Sequence, residues 1–189
     1  MANRAAERHV AVFPGSFDPV TFGHLDVIER GRRLFDEVVV GVGRNPAKTP
    51  LFAAEERVEV ISQLVEEICE REPTAARVRV EAFDGLTVDF ARRQKASALL
   101  RGIRNLQDLQ YEIQQAITNR EVAGLETAFV IAGQSFAYTS SSLIRQLTAM
   151  GDDLDESLKS MVPRAVIDGL KAKKAGGHPM LATLGADDE

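Results

Sequence analysis

The segment PGSFDPVTFGH, residues 14–24, gathers residue types that handle an anion. Gly15 permits close backbone approach to a ligand, and Ser16 offers a hydroxyl and an N–H. Gly23 and His24 then open a helical pattern. Free N–H groups and the macrodipole at a helix start favour negative charge. An imidazole placed there can donate to a phosphate oxygen and become cationic as charge develops. Asp18 suits a loop role, accepting from nearby N–H groups. Further along, Lys48 offers a point charge. Arg101 and Arg104 flank Gly102, and arginine's fork fits a phosphate. Ser140, Ser141 and Ser142 supply a cap, hydroxyls and free N–H groups at another helix start. Arg145 adds a cation one turn later. The chemistry these residues suit is the positioning of phosphates and the stabilisation of charge on them.

The elements that must position them alternate along the chain. Apolar runs at 9–15, 37–42, 77–83, 97–103 and 125–133 read as strands. Helical patterns follow at 23–35, 53–69, 86–95, 106–122 and 140–150, with Val58, Ile61, Leu64, Val65 and Ile68 at helical spacing in the second. Five strands, each followed by a helix, predict an α/β fold: a Rossmann-like, doubly wound, five-stranded parallel sheet with helices on both faces. Such sheets bind ligands at the carboxyl ends of the strands, near a topological switch point. The candidate residues all fall there. One domain is expected over 1–175, with short helices at 154–158 and 163–175, and a flexible tail over 176–189.

Composition narrows the function classes. The 189 residues are 44% hydrophobic and 27% charged, and the net charge of −5 argues against non-specific nucleic-acid or anionic-membrane binding. Residues 151–189 hold 8 acidic and 5 basic residues, a net of −3, and residues 1–150 hold 20 and 18, a net of −2, so more than half of the net negative charge lies where motifs are fewest. The apolar runs are too short to cross a bilayer, and no secretory leader is expected from the first residues. A lone Cys69 reads as a half-buried apolar residue, and the scattered His9, His24 and His178 do not make a zinc site. A cytoplasmic protein is expected.

GSFDPVTFGH resembles the (H/T)xGH signature of the nucleotidyltransferase superfamily, in the form with Thr21 that is similar to the phosphopantetheine adenylyltransferase family. NPAKTPLFAAEERV (45–58), GLTVDFAR (85–92), LLRGIRNLQDLQYE (99–112) and YTSSSLIRQL (138–147) match that family's segments in order, so the similarity spans roughly residues 9–172. The resemblance implies adenylyl transfer from ATP to 4′-phosphopantetheine, giving dephospho-coenzyme A and pyrophosphate. It implies a catalytic set of His24, Lys48 and Arg104. It implies substrate contacts from Ser16, Lys48, Arg101 and Thr87, although the family often has Leu or Met at the last position. It implies an ATP site of Ser16, Phe17, His24, Gly102, Ile103, Arg104, Glu112, Phe136, Ala137, Tyr138, Thr139, Ser140, Ser141 and Ser142. Phe136 stands where Trp or Tyr is common, and Tyr138 and Thr139 where relatives carry Phe and Ile or Val. The resemblance further implies Mg²⁺ arriving with ATP and not bound by protein side chains alone, a homohexamer, and coenzyme A as a feedback ligand. Two other readings stay open. One is a nucleotidyltransferase of this fold acting on nicotinate mononucleotide or glycerol phosphate. The other is a catalytically silent nucleotide- or coenzyme-A-binding module.

Overall fold

The structure, a computed structural model, describes residues 8–44 and 49–186. Lys48 therefore lies outside the described residues. Five strands, β1 (Val10–Gly15), β2 (Glu37–Gly43), β3 (Arg77–Phe83), β4 (Ala98–Ile103) and β5 (Glu126–Ile131), form one all-parallel sheet in the order β3-β2-β1-β4-β5. The helices between and after them are α1 (Phe22–Gly31), α2 (Ala54–Arg71), α3 (Thr87–Arg93), α4 (Leu106–Ala123), α5 (Ser141–Met150), α6 (Leu154–Leu158), α7 (Arg164–Ala175) and α8 (Pro179–Ala186). The expected doubly wound sheet is thus present. The chain steps from β1 outward to β3, then crosses back to lay β4 on the other side of β1. That reversal opens a crevice at the carboxyl ends of β1 and β4, where neighbouring connections diverge.

Both faces of the sheet are apolar, because a parallel strand is covered on each side. On one face Ala11, Phe13, Val38, Val40, Val42, Leu100 and Val130 pack against α1, α2, α5 and the C-terminal helices. On the other, Val10, Val12, Val39 and Leu99 meet Phe83, Phe90 and Ala91, with Phe83 and Phe90 stacked at 4.4 Å. The helix α4 covers this second face thinly. Its only buried residue is Glu112.

Two expectations are corrected. The first helix ends at Gly31 rather than continuing to 35. Arg32 caps it and turns inward, its guanidinium donating to the carbonyls of Ile68, Glu72, Ala75 and Ala76. It thereby satisfies carbonyls at the end of α2 and in the turn after it, which the helix leaves without partners. The second correction concerns the expected tail. Residues 179–186 form α8, and Leu181 enters the core beside α5. The Gly176-Gly177 pair is the turn joining α7 to α8, with Gly177 at φ +65°.

Candidate active site

The crevice holds a cavity of about 400 Å³. Its walls carry Ser16, Phe17, Thr21 and His24 from the β1–α1 turn, and Arg101, Gly102, Arg104, Asp108 and Glu112 from β4 and α4. Thr139, the serine triplet and Arg145 close it from the start of α5. Segments some 80 to 120 residues apart in sequence thus meet in one place, as the bond from Arg101 Nη1 to the Pro14 carbonyl (2.7 Å) illustrates.

His24 is the third residue of α1, and Thr21 is that helix's cap. The Thr21 N–H donates to His24 Nδ1 at 3.0 Å, which makes Nδ1 an acceptor and leaves the proton of the neutral ring on Nε2. The imidazole is further fixed by the Phe17 ring, edge-on at 5.1 Å. Phe17 itself is buried with φ +49°, a left-handed backbone unusual for an aromatic residue. Its ring fills the place where a Gly15 side chain would begin: a Cβ there would lie 2.8 Å from Phe17 Cζ. Gly15 is therefore required by Phe17 as much as by any ligand. Gly102 is confined likewise, by Val27 at 2.7 Å.

Burial, and after it the charges of Arg104 and Arg101, push the His24 imidazole down from 6.5 to about 4. His24 is thus a neutral Nε2–H donor at neutral pH. Because its folded value lies below the unfolded one, the unfolded chain binds the extra proton more readily. Stability is full above about pH 6.5 and declines as the pH falls toward 4. A proton NMR titration should find the His24 Cε1–H resonance unshifted down to about pH 5. A midpoint near 6.5 would refute the neutral-donor assignment.

The arginines are held by partners. Arg101 donates Nε to Glu112 Oε2 at 2.7 Å and Nη2 to Oε1, and Glu112 is only 8% exposed. Arg104 grips Asp108 through Nε at 2.7 Å and Nη2 at 3.0 Å, and sends Nη1 to the Thr139 carbonyl at 2.6 Å. Asn105 caps α4 by accepting from Asp108 N–H, which fixes that carboxylate one turn from Arg104. A guanidinium has five N–H donors. These bonds leave two on Arg104 for a ligand while forbidding it to wander. Such fixed forks select planar, oxygen-rich anions.

At the start of α5 the three serines divide their labour. Ser140 caps the helix by accepting from Leu143 N–H at 3.1 Å. Ser141 Oγ donates to the Pro19 carbonyl at 2.8 Å, and Ser142 Oγ accepts from Arg145 Nη2 at 3.1 Å. What the triplet presents is chiefly the N–H groups of Ser141 and Ser142, which have no carbonyl one turn back. Arg145 also donates to the Asp18 carbonyl at 2.7 Å. Asp18 is buried, and its carboxylate accepts from Leu51 N–H at 2.8 Å and Phe52 N–H at 2.9 Å. The loop role read for it is what the structure shows.

Not every expected site residue reaches this cavity. Thr87 lines an adjoining cavity of about 160 Å³ with Pro14, Arg101, Glu112, Gln115 and Asn119. Ile103 is buried in the core. Phe136 packs on Phe22 and Gly23, near the rim, and Tyr138 is 91% exposed. Neither Phe136, Ala137 nor Tyr138 lines the cavity. Glu112 is Arg101's counter-ion. Asp108 was missed by sequence reasoning, although its i, i+4 spacing from Arg104 is visible there. With Asp108 and Glu112 facing Arg101, Arg104 and Arg145, the described part of the cavity is only modestly cationic. Among the described residues, no three His, Cys, Asp or Glu side chains converge in a way that could hold a metal ion. No described helix is long and apolar enough to cross a membrane.

Comparison with known proteins gives a consistent picture. The cytidylyltransferase-like family model matches residues 12–147. The chain is 45% identical to the phosphopantetheine adenylyltransferase of Synechococcus elongatus over 84% of its length and 92% of that protein's. It is 47% identical to the one of Rhodopirellula baltica, over 88% and 89%, and 42% identical to that of Geobacter metallireducens, over 88% and 96%. Among solved structures, the Plasmodium falciparum nicotinic acid mononucleotide adenylyltransferase superposes with a TM-score of 0.57 at 14% identity, over 88% of this chain and 96% of that one. A bifunctional NMN adenylyltransferase/ADP ribose pyrophosphatase of Francisella tularensis gives 0.60 at 17%, over 96% and 54%. At such identities the structural likeness speaks for the fold alone.

Proposed function

The chain belongs to the cytidylyltransferase-like family and, within it, to the phosphopantetheine adenylyltransferases, and from that premise we propose how its crevice carries out adenylyl transfer from ATP to 4′-phosphopantetheine. The observation that carries the mechanism is the neutral His24, its Nε2–H facing a cavity walled by held arginines and helix-start N–H groups. One oxygen of the acceptor phosphate forms a bond to the α-phosphorus of ATP. The bond from that phosphorus to the bridging oxygen breaks, and pyrophosphate leaves with the electron pair. The nucleophile is already an anion, so the site needs no base and no covalent intermediate. Its work is positioning and charge stabilisation.

His24 donates from Nε2 to the α-phosphate, where charge grows. Arg104, the Ser141 and Ser142 N–H groups and Arg145 receive the outer phosphates, since helix starts and guanidinium forks both favour phosphate oxygens. Ser16 and Arg101 hold the acceptor phosphate, with Lys48 as their proposed third partner. The side cavity containing Thr87, Gln115 and Asn119 adjoins Arg101, and it is where the pantetheine arm would extend. Thr87, Gln115 and Asn119 give that cavity a polar side suited to amides.

Mg²⁺ fits as a companion of ATP. The cavity's donors are N–H groups and guanidiniums, which suit phosphate oxygens rather than a cation. The ion would be held by phosphate oxygens and water, and it would neutralise part of the triphosphate charge. Coenzyme A, which shares the phosphopantetheine moiety, is proposed as a second occupant of the acceptor side. A homo-oligomer is also proposed. Leu106, Ile113 and Ile117 recur at helical spacing along one side of α4 and are exposed, a row of the kind that marks an interface. A cytoplasmic setting suits a protein built without disulfides.

The test is pyrophosphate release with ATP and a panel of acceptors, run on protein whose mass is determined by light scattering. Phosphopantetheine should support turnover well above nicotinate mononucleotide or glycerol phosphate. No release with phosphopantetheine would sink the assignment, and a monomeric mass would sink the oligomer.

A further inference from the structure

A second, larger cavity of about 950 Å³ adjoins the crevice. Ser16 and Arg145 line both cavities. Its floor is formed by Asp18, Arg57 and the turn that opens α2. One of its walls is α8, which contributes Pro179, Met180, Thr183 and Leu184. This helix lies beyond residue 147, where the family match ends.

The attachment of α8 differs from that of α7. Polar contacts fasten α7 to the body of the protein: Lys171 to Asp155, Lys173 to Glu56 at 2.8 Å, and Lys174 to the Gly151 carbonyl at 2.6 Å. The described hydrogen bonds of α8 are all local. Met180 N–H donates to His178 Nδ1, Leu181 and Ala182 N–H donate to the His178 carbonyl, and Thr183 Oγ1 donates to the Pro179 carbonyl. What holds α8 to the fold is apolar contact, chiefly Leu181, which is 5% exposed, with Met180 beside it. The connection to α7 is Gly176-Gly177, with Gly177 in the left-handed region that glycine enters without strain. An anchored helix, a two-glycine joint and a helix laid along α5 by apolar contact, with Leu181 buried, have the parts of a hinge and a latch.

We propose that α8 is a hinged cover, latched by Leu181, over the passage through which a phosphate-bearing group reaches or leaves Ser16 and Arg145. The proposal rests on the adenylyl-transfer reading for its choice of ligand. The passenger is either the acceptor phosphate on its way in or pyrophosphate on its way out. Both are phosphate anions, and both would meet the cation that separates the two cavities.

Hydrogen exchange on the intact chain tests the cover without any need for turnover. Amides of residues 179–186 should exchange faster than those of α5 and α7. They should slow by roughly fivefold or more when inorganic pyrophosphate alone, or phosphopantetheine alone, is added. Slowing by pyrophosphate identifies the leaving group as the passenger, and slowing by phosphopantetheine identifies the acceptor. Exchange in α8 as slow as in α7, or indifferent to both ligands, overturns the proposal. A chain ending at Gly176 and the Leu181→Asp variant give a second readout. Each should raise either the pyrophosphate inhibition constant or the acceptor KM by about fivefold, while circular dichroism of the remaining fold is retained. Constants within about twofold of the parent in both folded variants also overturn it. Should the enzyme prove inactive with phosphopantetheine, the exchange experiment still decides the fate of the cover.

Discussion

His24→Ala lowers kcat by about a hundred- to a thousandfold, while the KM for ATP moves only a few-fold; this is the expected result for a donor that acts where charge develops. The substitution removes the Nε2–H proposed to meet the α-phosphate and leaves Arg104, Arg145 and the start of α5, the proposed triphosphate contacts, in place. The Thr21 hydroxyl still accepts from the residue 24 N–H, so the start of α1 keeps part of its cap. His24→Gln offers a control, because its amide can donate without being able to titrate. Partial recovery with Gln supports a neutral donor. A kcat for the Ala variant within about tenfold of the parent, worth roughly 1.4 kcal/mol, would show that His24 is not the stabilising group.

The second large effect is on stability. Asp18→Asn should cost about 2–4 kcal/mol in chemical denaturation, although it changes one atom type and almost no volume. Both carboxylate oxygens of Asp18 are engaged, one by Leu51 N–H and the other by Phe52 N–H, in a residue only 6% exposed. An amide keeps one acceptor and turns an N–H₂ toward the other amide, so two donors face each other. The damage should spread. The Asp18 carbonyl receives Arg145, and Arg57 reaches from α2 to the carbonyls of Ser16, Gly43 and Phe52. Loosening this turn shifts Ser16 and Arg145 together, so KM for the acceptor should rise in protein that remains folded. A loss of less than about 0.5 kcal/mol would mean that the turn is held by something other than this carboxylate.

Much of the architecture was legible because the signals are local. Strand–helix alternation announced the parallel sheet, and the rule that such sheets bind at strand ends picked out the loops after β1 and β4 before any geometry was known. The missing parts have long-range causes. Arg32 looks like any solvated helix cation, and only the fold brings the end of α2 within its reach. Glu112 was expected at the ATP site from the resemblance alone, and the fold sets Arg101 against both its oxygens. The tail expected over 176–189 holds a helix in its described part, over 179–186. The apolar Met180 and Leu181 gain meaning only when α5 offers them a seat. Phe136 and Tyr138 were placed in the site on resemblance alone. The turn at 134–136 sets Phe136 on Phe22 and Gly23 and leaves Tyr138 exposed.

The crossing between β1 and β4 has a consequence for how the molecule matures. Strands adjacent in space there are separated by nearly half of the chain: Ala11 pairs with Ala98, and Val12 with Leu99. Ser16 and His24 are made early, and Arg101, Arg104 and the serine triplet late. No contiguous piece of the polypeptide contains a working half. Because closure of such distant partners is the slow part of assembling a parallel sheet, substrate turnover in a refolding chain is a clock for the last event, silent while helices and hairpin-range contacts have already formed.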